Sequence, residues 1–196
     1  MASNDDWISS NDPQLIDSIV KHEGDKKVIY RELNAGRLKA AQECNAENCI
    51  EQGTWPAYID SRGLNTVGIG HLITGNEPYN CFTGVSDQVV MQQLATDLET
   101  HLAGAKQLAK EHGMQIDGNF VVQRFMTELC FNIGAAKYAK FKNGLRKLTS
   151  AVNGDGQFTY NDAADEHLDS SWATQVGNRA RDMVASLREL DKVVQD

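Results

Sequence analysis

The sequence is short of cations. Its 196 residues hold 19 Lys and Arg against 27 Asp and Glu, a net charge of −8. Clustered Lys and Arg are what phosphate binding requires, so the deficit argues against nucleic acid as a partner. It also removes strong electrostatic attraction to an anionic wall or membrane, leaving recognition to local contacts. No apolar run approaches the ~20 residues of a membrane helix, so no stable membrane insertion is expected. The opening Met1 to Gln14 is polar and acidic and lacks a basic stretch followed by an apolar one, which predicts no secretory signal. Only three prolines occur, with no low-complexity segment and no internal repeat, which argues against a solenoid.

Cysteine is scarce too. Cys44, Cys49, Cys81 and Cys130 are not joined by a second Cys or His pair at ligand spacing, so neither a metal site nor a cofactor is expected. Cys44 and Cys49 bracket Asn-Ala-Glu-Asn and suit either a small disulfide loop or two free thiols.

What is present is periodicity. Pro13 to Glu23 reads as a helix, with Asp12 as N-cap, Leu15, Ile16, Ile19 and Val20 as its apolar stripe, and Gly24 as its end. Lys27–Tyr30 reads as a short strand and Arg37–Glu43 as a helix, with Gly53 and Pro56 closing the segment. Tyr58 to His71 reads as strand, turn, strand. A long helix opens near Ser86, lined by Val90, Leu94, Leu98, Leu102, Ala105 and Leu108. Further helices are expected at about 120–133, 141–152, 161–168 and 179–193. Strands early and helices late predict an α+β protein.

Two features carry chemistry. Glu23 ends the first helix on the side of its apolar stripe, beside the negative end of the helix dipole, the surroundings that general acids use. Asp60 precedes a turn, and Thr66 lies on the returning strand, so a hairpin would bring carboxylate and hydroxyl together around a water. Gly68 and Gly70 within that strand suggest close approach by another backbone or a ligand. The plainer reading of each is a surface Glu at a helix end and a turn-initiating Asp.

His22-Glu23-Gly24, followed by Tyr58-x-Asp60-x-x-Gly63-x-x-Thr66-x-Gly68-x-Gly70-His71-Leu72, resembles the T-even phage lysozymes and related endolysins. Phe131-Asn-Ile-Gly134, Phe141-x-Asn143-x-Leu145-Arg146 and Trp172-Ala-Thr-Gln175-Val-Gly-Asn178-Arg179-Ala180 resemble that family's helical part in the same order. The resemblance implies a lysozyme-like α+β fold, with a small antiparallel sheet lobe at about 24–85 and a larger helical lobe at about 86–196 that includes the first helix, 12–23. A long helix would join the two.

It also implies a muramidase acting on peptidoglycan glycan strands, at the β-1,4 bond between N-acetylmuramic acid and N-acetylglucosamine. Glu23 would protonate the leaving oxygen, while Asp60 and Thr66 would activate water on the opposite face, giving inversion. Substrate contacts carry over to Leu72, Phe131 and Asn132, and to Gly144 and Glu166, where the residue types depart from the family's. Arg179 matches an arginine near the catalytic Glu, and Asp97 matches a carboxylate that supports His71. A phage enzyme of this kind would be a monomer made in the host cytoplasm. It would reach periplasmic peptidoglycan through a holin, or be carried in the virion.

The sequence departs from the family in the spacing. Asp60 lies 37 residues beyond Glu23, leaving an insert at about 31–56 that would be a flap, a partner surface or a tolerated insertion. Glu32 becomes a rival second carboxylate, but it lacks the Gly63 and Thr66 offsets of a water-holding hairpin. Asn153-Gly-Asp155-Gly-Gln157 faintly resembles a calcium loop, yet Phe158 stands where that loop needs Gly, so a polar turn is expected.

Overall fold

Pro13 opens α1 (Pro13–Glu23), whose Leu15 and Ile19 are fully buried as the stripe requires. Gly24 ends it at φ +95°, its N–H reaching the Val20 carbonyl at 3.0 Å. These elements belong to a computed structural model that describes residues 6–193. Residues 1–5, part of the opening stretch in which no signal is expected, lie outside the described residues.

Helix α2 (Lys26–Asn34) replaces the strand expected at Lys27–Tyr30. The Asp25 carboxylate accepts the Val28 N–H at 2.9 Å and caps a new helix directly after Gly24. Such a cap contributes about 1 kcal/mol, and in so short a run it outweighs the β preference of Val28-Ile29-Tyr30. The helix expected at Arg37–Glu43 is absent as well. The Glu32 carbonyl accepts the N–H groups of both Arg37 and Leu38, and the chain turns at Gly36 into strand β1 (Lys39–Ala40). Helix α3 (Ala46–Glu51) follows, capped by the Asn45 side chain.

Three more strands complete an antiparallel sheet in chain order, β2 (Tyr58–Ile59), β3 (Asn65–Val67) and β4 (His71–Leu72). The strand expected to run from Leu64 to His71 is therefore broken in two at Gly68–Gly70. Ala40 pairs with Tyr58, Tyr58 with Thr66, and Thr66 with Leu72. The insert thus supplies the sheet's edge strand.

The long helix α4 spans Asp87–Glu111, and every residue of its expected stripe is buried. Beyond it lie α5 (Phe120–Ile133), α7 (Lys142–Asn153), α8 (Tyr160–Leu168) and α10 (Asn178–Val193), all close to their expected bounds. Two short helices were not legible, α6 (Ala135–Tyr138) and α9 (Ser171–Val176). Each is under two helical turns and too short to display a periodic stripe. The segment after Asn153 is a polar turn: Gly154 is left-handed, and the Asp155 carboxylate accepts from the Ser150 hydroxyl and the Gln157 N–H.

The chain is mixed, with one small sheet and 59% helix, and it divides into two compact units. Pro13–Asp97 forms the sheet unit; among the described residues, 6–12 with 98–193 form the helical unit. Helix α1 therefore groups with the sheet, whereas the sequence grouped it with the later helices. In the helical unit α8 packs against α7 and α10 over a core that includes Phe125, Met126, Leu129, Leu145, Leu148 and Leu187. Among the described residues no helix is long and apolar enough to cross a membrane.

Candidate active site

The sheet register sets the first layer of the site. Residues directly opposite one another on neighbouring strands share a face, so Tyr58, Thr66 and Leu72 form one row across β2, β3 and β4. Thr66 is buried and donates its hydroxyl to the Leu64 carbonyl at 3.2 Å, while Leu72 is 41% exposed at the end of the row.

Glu23 reaches the sheet at Gly70. A Cβ built on Gly70 would stand 3.1 Å from Glu23 Oε2, and its φ of +72° is left-handed. Glycine is required there on both counts. Gly68 is constrained by a different neighbour: a Cβ would lie 2.8 Å from Val90 Cγ1 on α4. The Gly-x-Gly pair is thus approached by side chains, the candidate acid at one glycine and a core valine at the other, rather than by the backbone or ligand expected.

Tyr58 connects the two carboxylates. Its phenol is raised well above its ordinary pKa, first by burial and then by the negative charges of Glu23 and Asp60, with the nearby Gly70 backbone opposing the rise. Both carboxylates therefore act on one buried hydroxyl. Tyr58 stood within the sequence motif, but nothing in the spacing assigned it a role.

Asp60 organises its own turn. One oxygen accepts the N–H groups of Arg62 and Leu64, each at 2.9 Å; the other accepts the Arg62 guanidinium at 2.9 and 2.8 Å. Burial opposes its charge, but the Leu64 N–H and then Arg62 outweigh that and hold its pKa below the ordinary carboxylate value. Glu32, the rival, lies on α2 and is taken up by Arg37 at 2.6 Å and Arg31 at 3.0 Å, with its pKa drawn down to about 2.

His71 Nδ1 meets Asp97 Oδ2 at 2.8 Å, the contact expected between strand and helix. A second carboxylate was not foreseen: Glu77 lies 3.3 Å from His71 Nε2 and also accepts from the Thr74 N–H, the Thr74 hydroxyl and the Gly75 N–H. A lone Glu in a loop gives no sequence signal of such a contact. Asp97 further accepts from Gln93, so His71 is held as a fastening between two acids.

The remaining candidates belong to the helical unit. Phe131 packs edge-on to His101, and Asn132 accepts the Trp172 indole N–H at 2.6 Å. Arg179 pairs with Glu128 at 3.8 Å, both side chains being largely buried. Gly144 and Glu166 line one cavity of about 660 Å³ together with Phe141, Asn143 and Trp172. A Cβ on Gly144 would stand 2.9 Å from the His167 ring, which explains glycine at that position. Glu166 is bound to Lys147 at 2.6 Å.

Among the described residues no cluster of His, Cys, Asp and Glu is placed to hold a metal ion. Chemically, the sheet unit holds one carboxyl seated on a glycine turn and one carboxylate held ionised, both acting on the Tyr58 phenol, an arrangement that acid–base chemistry could use. Comparison with protein-family models and with curated proteins finds no match to this chain.

Proposed function

We propose that this chain is a peptidoglycan hydrolase, an N-acetylmuramidase of the phage lysozyme kind. The observation that carries the reading is the seating of Glu23 on Gly70, with Tyr58 exposed electrostatically to both Glu23 and Asp60. A plain hairpin has no need to converge on a helix-terminal carboxyl from another element. Glu23 donates a proton to the glycosidic oxygen as the bond breaks. Asp60, kept charged by its turn, and Thr66 orient the water that attacks the opposite face of the sugar, with inversion. Leu72, at the exposed end of the same strand row, offers the sugar an apolar contact. Phe131, Asn132, Gly144 and Glu166 are proposed as further substrate contacts, with Arg179, His71 and Asp97 as supporting residues. A phage enzyme of this class acts on periplasmic wall after holin-assisted release, or from the virion.

One observation favours a second reading, a non-catalytic wall-binding protein: the Asp60 oxygens are already engaged by Arg62 and Leu64. Muropeptide release from purified Gram-negative peptidoglycan separates the two. The hydrolase reading expects soluble fragments from the wild type and none from Glu23→Gln or Asp60→Asn. A folded wild type that binds the wall and releases nothing would establish the binding reading instead.

A further inference from the structure

The insert contains a feature that the proposed hydrolysis does not use. Cys44 and Cys49 are free thiols whose sulfurs lie 3.9 Å apart. Their spacing is set by the backbone. The Cys44 N–H is bonded to the Ala41 carbonyl at 2.9 Å in the turn leaving β1, and the Cys49 N–H reaches the Asn45 carbonyl at 3.1 Å in the first turn of α3. Cys44 is half-buried and Cys49 is 1% exposed, so Cys44 is the more accessible thiol of the pair. The sulfurs must close by about 2 Å to reach bonding distance, which is within reach of a χ1 adjustment at the more exposed residue.

The other two cysteines do not compete. Cys81 and Cys130 are both buried, Cys130 in the core of the helical unit.

We propose that Cys44 and Cys49 form a thiol–disulfide exchange site, at which a disulfide-class oxidant, small or protein, leaves an intramolecular Cys44–Cys49 bond. The Cys44 thiol loses its proton to solvent and attacks one sulfur of the oxidant, expelling the first thiolate. Cys49, deprotonated in turn, attacks Cys44 Sγ and expels the second. Two protein thiols are oxidised, one disulfide is reduced to two thiols, and the released protons end on those thiols. Burial pushes the Cys44 thiol up to about 11, so exchange is slow at neutral pH and accelerates as pH rises.

The bond closes a small ring that ties α3 to the turn after β1. That strand pairs with β2 through Ala40 and Tyr58, so the cross-link braces the sheet edge beside the candidate site. A reducing compartment leaves the pair open and an oxidising one closes it. The inference stands on the insert's geometry alone and holds whether or not the chain hydrolyses peptidoglycan.

The test treats the reduced full-length protein with oxidised glutathione at mildly alkaline pH, then counts thiols after unfolding and maps the linked peptides by mass. The expected result is loss of two of the four thiols, a protein lighter by two hydrogens with no glutathione attached, and a melting temperature higher by a few degrees. Cys81→Ser should react in the same way, whereas Cys44→Ser should keep its remaining thiols. Four thiols surviving oxidation, a stable glutathione adduct on Cys44, or a link to Cys81 or Cys130 would each overturn the proposal.

Discussion

The sheet unit and the helical unit are held together by different physics, and their histidines show it most sharply. His71 in the sheet unit lies between two carboxylates. The Asp97 hydrogen bond raises its pKa against the effect of burial, and Glu77 adds to the rise. His167 in the helical unit is buried in an aromatic pocket with Phe125, Tyr138 and Phe141, and burial drives its pKa down to about 4. One histidine is stabilised as a cation and the other as a neutral ring. The sheet unit is fastened by charges in turns, Asp25 capping α2, Asp60 holding its hairpin, and Asp87 gripping Lys26 and the Trp55 indole. The helical unit is built on a larger apolar core, with ion pairs such as Arg124–Asp12 and Lys147–Glu166 outside it.

The largest effect expected is chemical and confined to the sheet unit. Glu23→Gln should lower hydrolysis by about 10²- to 10⁴-fold, the usual worth of a positioned general acid, while leaving the melting temperature close to wild type. Turnover on purified wall and thermal unfolding, measured on the same sample, check both halves. If activity falls only in step with stability, Glu23 is a structural residue and the comparison loses its functional side.

Next in size is the acid limb of the helical unit. A histidine whose folded pKa is depressed contributes stability that is complete above the unfolded value near 6.5 and is lost as pH falls toward about 4. The loss amounts to about 3 kcal/mol, at 1.4 kcal/mol per pH unit. Hydrogen exchange followed from pH 6.5 down to 4.5 should show faster opening of α5, α7 and α8. Equal protection at both pH values would mean that His167 is not held neutral.

The sheet unit should respond with the opposite sign. His71 contributes stability that is fully present below pH 6.5 and is lost as pH rises through its raised folded value. Glu77 is drawn down to about 2, with the Thr74 hydrogen bonds and His71 outweighing burial, so its contribution is present above 4.5 and lost only as pH falls toward 2. Between about 4.5 and 6.5 the sheet unit should therefore keep its stability while the helical unit loses some. His71→Gln should flatten the alkaline decline measured by exchange at β4; an unchanged decline would assign it to another group.

How much of this was legible depended on the same difference. The longer helices of the helical unit, α5, α7, α8 and α10, were read nearly to the residue, whereas the short α6 and α9 were not, because only a helix of several turns repeats its buried positions often enough to show a period. In the sheet unit the motif around Tyr58 to His71 located the hairpin, and Glu23 was placed correctly at the end of α1. The strand expected at Lys27–Tyr30 became a helix because one Asp25 cap decided it, and β1 was missed because a two-residue strand exists only through its partner. Glu77 and the role of Tyr58 were invisible for the same reason. Each is defined by groups brought from elsewhere in the chain, and no local pattern records that convergence.

A smaller effect sharpens the assignment within the sheet unit. Tyr58→Phe removes the buried hydroxyl on which both carboxylates act, beside Gly70. Because Gly70 is the seat of Glu23, turnover should fall with no comparable change in KM. A variant that loses stability but keeps full turnover would separate the fastening of the turn from the placement of the acid.

The smallest effect is the most discriminating between the two carboxylates that compete to partner Glu23. Glu32 is held ionised by Arg37 and Arg31, and Asp60 by the Leu64 N–H and Arg62, so charge does not distinguish them. Placement does. Asp60 shares the buried Tyr58 phenol with Glu23, whereas Glu32 is occupied by Arg37 and Arg31 at the C-terminal half of α2. Glu32→Gln should therefore leave turnover on purified wall within a factor of about two of wild type, as expected for removal of an exposed ion pair. Under the same assay Asp60→Asn should be nearly inactive. The reverse pattern would move the second carboxylate into the insert and make α2, rather than the hairpin, the element that holds the attacking water.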